Sequence, residues 1–159
     1  MNLIKLSTVF NEMAKRMPNL ATEAIQSYLP EIQANLLNRI FNDNLGANGG
    51  SFGGYKSKQY KEYRLSIGRQ VTRKDLQLTG QFKNSIIINN DALSIEFSKS
   101  NLSYKRKNKT YNSIPLDIAK GQETQIKKLI FEPSKEEIES AKDAVTANFR
   151  VLILTELGL

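Results

Sequence analysis

The sequence predicts an α+β fold with N-terminal helices, a small and mainly antiparallel sheet, and a capped C-terminal helix. Three observations support this prediction. Apolar residues recur every three or four positions over the first forty residues, alternate with polar residues over 93–97, and return to helical spacing after 134. Because the helical and extended stretches are segregated along the chain, the pattern is typical of an α+β domain. The 159 residues fit one domain with one core, so we treat 1–159 as a single domain.

Region 1–45 is predicted to be helical. Apolar residues from Leu3 to Met17 lie at three- and four-residue steps, which places them on one helix face. Pro18 is expected to end or bend this first helix. A second apolar stripe follows, and Pro30 within it is expected to mark a kink or the first turn of a new helix.

Region 46–75 is predicted to be a Gly-rich loop followed by a basic loop. Five glycines lie within 46–54, and Gly49 and Gly54 have the spacing of a phosphate-binding loop. Tyr55 stands where such a loop requires lysine, and no buried strand leads into it. We therefore reject a nucleotide site and interpret the glycines as a flexible linker.

Region 76–131 is predicted to contain the sheet. Ile86–Ile88 and Leu93–Phe97 flank a turn at Asn90-Asp91, which favours an antiparallel hairpin. The apolar residues of Leu93–Phe97 alternate with polar ones, as in a half-buried strand. The rest of the region is predicted as a basic loop at 99–109, an extended segment over Tyr111–Ala119 and a strand over Ile126–Phe131.

Gly80 lies where the apolar pattern changes period, so we expect a sharp turn there with a positive φ. This turn would direct Phe82–Ile88, which we expect to contact a neighbouring subunit.

The C-terminal helix is predicted over 134–157. Ser134 is a suitable N-cap, Glu137 completes a capping box three residues later, and Gly158 is a suitable left-handed C-cap. Its buried face is predicted to contain Ile138, Ala141, Val145, Phe149 and Leu152.

Positive charge is concentrated in two segments. The chain has 23 Lys and Arg against 16 Asp and Glu, a formal net charge of +7. Segment 55–74 nevertheless contains Glu62 as its single acidic residue, and segment 99–109 contains none. Such segments attract a polyanion or an acidic protein surface, although a surface that only keeps the protein in solution stays open as an alternative. The candidate interface or DNA-facing cations are Lys56, Lys58, Lys61, Arg64, Arg69, Arg73, Lys74, Lys105, Arg106, Lys107 and Lys109.

The residue types restrict the chemistry that the chain can perform. There is no Cys and no His, which excludes disulfides, thiolate nucleophiles, Ser-His-Asp triads and the usual zinc sites. A carboxylate nuclease would use Asp91, Glu96 and Lys99, but Glu96 and Lys99 fall on opposite faces of a strand. We therefore expect no catalytic residues, no metal and no cofactor, and a protein that is not an enzyme.

The sequence also bears on location. No stretch approaches the roughly 18 to 20 apolar residues of a membrane helix. Polar Asn11 and Glu12 follow the first ten residues, where a signal peptide would continue its apolar region. We expect a protein that is made in a cytoplasm and has no membrane partner.

The stretch Tyr55–Ile88 resembles a known family. It contains Tyr60, Tyr63-Arg64 and Gly68-Arg69, followed by Leu78-Thr79-Gly80 and Ser85-Ile86. This order is similar to that of the tail-completion, or head–tail joining, proteins of tailed bacteriophages, including the phage Mu type virion morphogenesis group.

The resemblance implies a structural virion protein of the phage neck that forms part of a ring joining the head connector to the tail. The implied partners are copies of the chain itself and other neck, connector and tail proteins, with the genomic DNA that passes through the lumen as a further candidate. The implied location is the virion neck or tail, after assembly in the host cytoplasm.

The alternative is a sequence-independent nucleic-acid-binding protein in the cytoplasm. Tyr55, Tyr60 and Tyr63 are interleaved with lysines, and aromatic rings among cations stack on exposed bases. Packing within an interface explains the same tyrosines. A salt titration separates the two readings, because phosphate contacts make nucleic-acid binding steeply dependent on salt.

Overall fold

The computed structural model describes residues 3–76, 80–106 and 109–158. Its two hairpins form separate two-stranded antiparallel sheets, β1 with β2 and β3 with β4. The predicted α+β class, with helix at both ends and antiparallel strands between, is confirmed. In chain order the elements are α1 (Leu3–Asn38), a π-helical turn (Arg39–Asp43), α2 (Lys58–Ser66), α3 (Gln81–Asn84), β1 (Ile86–Asn89), β2 (Ser94–Phe97), β3 (Leu102–Arg106), β4 (Lys109–Ser113), α4 (Pro115–Ile126) and α5 (Lys135–Leu157).

Helix α1 runs without interruption through both of its prolines. The expected end at Pro18 and fresh start at Pro30 are wrong, because both residues lie inside the one helix. Each proline removes one backbone hydrogen bond, and packing of α5 along α1 offsets that loss. Asn148 of α5 donates a hydrogen bond to the Ser27 hydroxyl of α1, which shows how closely the two helices lie.

The side chain of Arg39 joins four parts of the chain just after α1. Its Nε donates to Glu137 Oε1 of α5 at 2.9 Å. Its Nη1 donates to the carbonyls of Leu45 at 3.0 Å and Ile130 at 3.2 Å, and its Nη2 donates to that of Glu132 at 2.7 Å. The buried charge is therefore both paired and hydrogen-bonded, which is the condition under which such a charge is tolerated in a protein interior.

The main core lies where the end of α1 meets the first hairpin. Phe82 is partly buried against it, with its ring centroid 5.8 Å from Phe97, 5.5 Å from Phe131 and 6.2 Å from Phe41. Edge-to-face and stacked pairs at these separations are favourable beyond their buried area. The fully enclosed members of the core are Leu36, Ile40, Phe41, Phe52, Ile86 and Ile130.

The Gly-rich segment is packed, so its interpretation as a flexible linker is wrong. Phe52 inserts into the core, and the amide of Ala47 donates to the Leu129 carbonyl at 2.9 Å. A Cβ at Gly46 would lie 2.9 Å from that same carbonyl oxygen, closer than side-chain atoms approach. At least one glycine is therefore required by a close approach between two backbones.

The first predicted hairpin is confirmed, whereas three neighbouring elements differ from expectation. β1 pairs with β2 in the register Ile86↔Phe97 and Ile88↔Ile95. The basic loop expected at 99–109 contains strands β3 and β4. The extended segment expected over Tyr111–Ala119 ends at Ser113, and Pro115 begins α4, a position where its missing N–H has no intrahelical partner to lose.

The strand expected over Ile126–Phe131 is also absent from the described structure. Ile126 ends α4, and Lys127 follows with a left-handed φ of 59°. The amides of Ile130 and Phe131 then donate to the carboxylate of Glu123 at 2.7 and 3.1 Å. A side chain therefore takes the place of the neighbouring strand that these amides would otherwise need.

Helix α5 has the caps that were predicted. The Ser134 hydroxyl accepts from the Glu137 amide at 3.2 Å, and the Glu137 carboxylate accepts from the Ser134 amide at 2.7 Å. Gly158 closes the helix at a left-handed φ of 70°. The predicted buried face is half-buried at Ala141, Val145, Phe149 and Leu152, and wrong at Ile138, which is 41% exposed.

The turn at Gly80 is confirmed. Gly80 has a φ of 81°. Phe82 packs among core rings, and Ser85 and Ile86 are buried. Part of Phe82–Ile88 therefore builds this chain's own core, whereas Asn84 and Ile87 are exposed, and contact of this segment with a neighbouring subunit stays a prediction.

We expect Gly80→Ala to lower the free energy of unfolding by about 1 kcal/mol, because alanine is strained at a left-handed φ, and Gly80→Asn to lower it by less. Gly121→Ala is the matched control. Gly121 lies inside α4 with open space around its Cβ position, so alanine should raise stability by about 0.5–1 kcal/mol through its helix propensity. Chemical denaturation of the three variants measures the difference, and equal effects of alanine at both positions would contradict the assignment.

Candidate interaction surface

Residues 55–75, which we call the basic module, fold into a compact unit instead of the predicted loop. Helix α2 begins at a capped end, where the Ser57 hydroxyl accepts from the Tyr60 amide at 3.2 Å. It ends at Ser66 with Ile67 as the C-cap, and Gly68 follows with a left-handed φ of 70°. The sequence signal for α2 was therefore present, in a cap serine and a C-terminal glycine. The high density of charge obscured it.

Arg64 holds the basic module together from within. Its side chain is 1% exposed, and Nη2 donates to both carboxylate oxygens of Asp75, at 3.0 and 2.8 Å. Its Nε donates to the Gln70 carbonyl at 2.9 Å, and the guanidinium lies 4.6 Å from the centroid of the Tyr55 ring. This combination of ion pair, hydrogen bond and ring contact satisfies a buried cation in three directions.

Tyr55 and Asp75 complete this internal network. The Tyr55 hydroxyl donates to Asp75 Oδ1 at 3.0 Å and accepts from the Asp75 amide at 3.3 Å. Burial is the main cause that raises the pKa of Tyr55 from its ordinary value of 10.0 to about 12. The phenol is therefore neutral, and it acts as a structural donor.

The two ends of the basic module are joined by the backbone. The Lys74 amide donates to the Gly53 carbonyl at 2.9 Å. Between these ends, the Gln70 side chain donates to the Arg73 carbonyl at 2.7 Å and accepts from the Arg73 amide at 3.1 Å. These bonds fix the backbone that follows α2. The cations of the module are therefore attached to a backbone with a defined conformation.

The predicted cations of the basic module fall into two groups. Arg64 is buried and serves as the internal anchor, so its assignment as an interface or DNA-facing residue is wrong. The other predicted cations are solvent-accessible. Lys56, Lys58, Arg69 and Arg73 are exposed, whereas Lys61 and Lys74 are half-buried.

Two tyrosines lie among these cations on the surface. Tyr60 and Tyr63 are 37% and 47% exposed, and their ring centroids lie 6.3 Å apart. Tyr60 also contacts Tyr55 edge-on at 5.4 Å. One edge of this aromatic row therefore packs against the anchor network while the other stays open to a partner.

The second predicted group of cations lies at the end of the β3–β4 hairpin. Lys105 and Arg106 belong to β3 and Lys109 to β4, with Arg106 opposite Lys109 in the register. Lys107 lies outside the described residues.

The remaining residues of the family motif have structural positions where they are described. Gly68 and Gly80 both adopt a left-handed φ, and Ser85 and Ile86 are buried. Leu78 and Thr79 lie outside the described residues. The motif therefore combines backbone turns and core contacts with the exposed rings of Tyr60 and Tyr63.

The carboxylates considered for a nuclease are used locally. Glu96 Oε1 accepts from Ser94 Oγ at 2.7 Å and from Asn89 Nδ2 at 3.1 Å. The bond from Ser94, followed by that from Asn89, lowers the pKa of Glu96. Glu96 is therefore held as a charged surface group of the first hairpin.

Removing Asp75 should loosen the basic module without unfolding the rest. Asp75→Ala leaves the buried Arg64 cation without its carboxylate, a change that costs about 3–5 kcal/mol in comparable buried pairs. We expect amide hydrogen exchange over 58–69 to accelerate about a hundredfold or more, while exchange over 86–97 stays unchanged. Asp91→Ala, at an exposed turn residue, is the matched control. Unchanged exchange over α2 in the Asp75 variant would refute the anchor role.

The raised pKa of Tyr55 predicts a pH dependence. The pKa of Tyr55 is about 12 in the folded module against an ordinary value of 10.0, so the folded module keeps the phenolic proton to a higher pH than the unfolded chain does. The associated stability is complete below pH 10.0 and is lost as the pH rises towards 12. The tyrosinate absorbance of the wild type should therefore show a late step that Tyr55→Phe lacks. Identical titration curves would contradict the assignment.

Three general features complete the description of the surface. Among the described residues, no helix is both long and apolar enough to cross a membrane. The same part of the chain contains no group of three or more Asp or Glu residues arranged to hold a metal ion. We found no match to this chain among protein-family models, curated proteins or solved structures.

Proposed function

We propose that this chain is a structural virion protein in the neck of a tailed bacteriophage, where copies of it form part of a ring that joins the head connector to the tail. In this role it assembles with copies of itself and with other neck, connector and tail proteins, and it catalyses no reaction. Its location is the virion, after assembly in the host cytoplasm.

The observation that carries the proposal is the construction of the basic module. The residues that resemble the phage family include a buried anchor, Arg64, and a turn glycine, Gly68, and these fix the backbone that displays Tyr60 and Tyr63. In this segment the buried residues hold exposed rings and cations in fixed positions. Such a surface is suited to docking against another macromolecule.

The β3–β4 hairpin supports the same role. Its two strands form a sheet of their own. An isolated two-stranded hairpin is marginally stable in water, and it gains stability when a partner covers it. Its cations at Lys105, Arg106 and Lys109 favour a partner with an acidic surface, or the DNA that passes through a neck.

The second candidate is a sequence-independent nucleic-acid-binding protein. It is favoured by the exposed rings of Tyr60 and Tyr63 beside Lys56, Lys58 and Arg69, since rings and cations together bind unstacked bases and backbone phosphates. In this reading the chain acts without forming a ring.

The two candidates separate in experiments on the purified protein. The neck role predicts closed rings in negative-stain images and discrete oligomers in mass photometry, with weak binding to DNA. A chain that stays monomeric at every concentration, and that binds single-stranded DNA tightly with a steep dependence on salt, would overturn the neck role in favour of the second candidate.

Neutralising the hairpin cations should impair assembly without harming the fold. The variant replaces Lys105, Arg106, Lys107 and Lys109 by Gln, and we expect an unchanged thermal transition because lysine and arginine rarely contribute to a core. In a phage that depends on this chain, the yield of infectious, DNA-filled particles should fall about tenfold or more if several charge contacts are lost together.

The matched control for this variant replaces four exposed lysines elsewhere, Lys15, Lys120, Lys127 and Lys142, by Gln. It changes the net charge equally, so it separates the position of the charge from its amount. Normal yields from the hairpin variant, or equal losses from both variants, would contradict a specific role for the hairpin.

A further inference from the structure

The outer face of α5 is divided into an acidic half and an apolar half. Glu136, Glu139 and Asp143 are exposed on one side of the first turns, and we call them the acidic stripe. The same side continues towards the C-terminus with exposed Val151 and Leu154, which are 58% and 47% accessible. A helix buried against α1 on its inner side therefore presents a second, amphipathic side to solvent.

The charges of the acidic stripe are little neutralised within the chain. In the described part of the structure, Glu136 and Asp143 have no ion-pair partner, and Glu139 meets Lys135 only at 3.9 Å with both side chains more than half exposed. Exposed pairs of this kind contribute little. The stripe is thus available to an external cation.

The basic module has the opposite pattern. Lys56, Lys58 and Lys61 have no ion-pair partner among the described residues, so their charge also faces outward. Leu65, which is 59% accessible, lies on the same face of α2 as Lys58 and Lys61, whereas Tyr63 lies on the opposite face. The row of cations on α2 is therefore the counterpart of the row of carboxylates on α5.

The dimensions of the two surfaces also agree. At a rise of 1.5 Å per residue, the acidic stripe from Glu136 to Asp143 is about 10 Å long and α2 is about 13 Å long. Helices that pack side by side at 8–10 Å bring such rows of side chains into contact. Lys58, Lys61 and Leu65 lie on one face of α2 and span about 10 Å of its axis, so this face can lie beside the acidic stripe.

We propose that the basic module of one copy docks on the outer face of α5 of the next copy, with Lys56, Lys58 and Lys61 against the acidic stripe. This inference rests on the proposed function, because it supplies the contact between neighbours in a ring. Two different surfaces of one chain meet in a head-to-tail contact, which closes into a ring when the rotation between copies allows it.

Charge reversal tests the contact in both directions. One variant carries Lys56→Glu, Lys58→Glu and Lys61→Glu, and another carries Glu136→Lys, Glu139→Lys and Asp143→Lys. Each variant alone places like charges across every contact, so we expect its apparent dissociation constant to rise about a hundredfold or more. An equimolar mixture restores opposite charges at both contacts, and a single chain with all six changes restores them as well. Both should assemble again.

Two controls separate this contact from general charge effects. Glu12→Lys, Glu23→Lys and Glu31→Lys alter three exposed acids of α1, and Lys15→Glu, Lys99→Glu and Lys120→Glu alter three exposed lysines outside the basic module. Both controls should assemble as the wild type does. Thermal transitions of all variants should stay near that of the wild type, because the changed side chains lie outside the core.

The outcomes distinguish this inference from the proposed function. Rings that persist in both reversal variants would refute the α2–α5 contact and leave the neck role standing. A wild type that forms no ring, yet gives carbodiimide cross-links between peptides containing Lys58 and Glu136 of different copies, would support the contact and count against the ring. Absence of both the rings and the cross-links, or failure of the mixture to reassemble, would overturn the contact. Single-stranded DNA binding that the basic-module reversal alone abolishes, with assembly unaffected, would assign the surface to nucleic acid instead.

Discussion

The guanidinium of Arg39 is the point on which the arrangement of the chain depends. It is held in a π-helical turn at the end of α1, and its four hydrogen bonds reach three separate segments. A planar donor with fixed geometry places its acceptors more strictly than apolar contacts do. The loop after α1, the connection between α4 and α5, and the capping glutamate of α5 therefore have defined positions relative to one another. Without that cation, the carbonyls of Leu45, Ile130 and Glu132 would lose a shared donor.

The parts of the fold that could be predicted are those whose signals are local. The capping box of Ser134 and Glu137 lies within one turn, and the hairpin of β1 and β2 is specified by alternation around a short turn. The parts that could not be predicted depend on partners distant in sequence. Ile126–Phe131 has the composition of a strand, but its amides bond to Glu123, and α1 continues through Pro18 because α5 packs beside it. No periodicity contains that information.

The candidate surface shows a similar division between composition and geometry. The count of lysines and arginines correctly indicated where positive charge is concentrated, and Tyr60 and Tyr63 do lie among exposed cations. The count could not reveal that Arg64 is the one cation of its segment that turns inward, since this depends on Asp75 at the other end of the basic module. Charge in a sequence is therefore a poor measure of charge on a surface, because a buried pair removes one cation and one anion together.

The acidic stripe could not be predicted from the sequence for the converse reason. Its residues are interspersed with Lys135 and Lys142, and they separate from them only when wound on a helix.

The hydrogen bond between Lys74 and Gly53 has a consequence for how this chain can change over time. Because the two backbones meet at that point, residues inserted or deleted inside the basic module alter what it displays and leave the path of the core untouched. The entropy of closing a loop grows only slowly with its length, so variation there is cheap in stability. The chain thus consists of a body with a fixed backbone path and a basic module that can vary. A related protein could acquire a new neighbour through substitutions in the basic module while every buried residue stays in place.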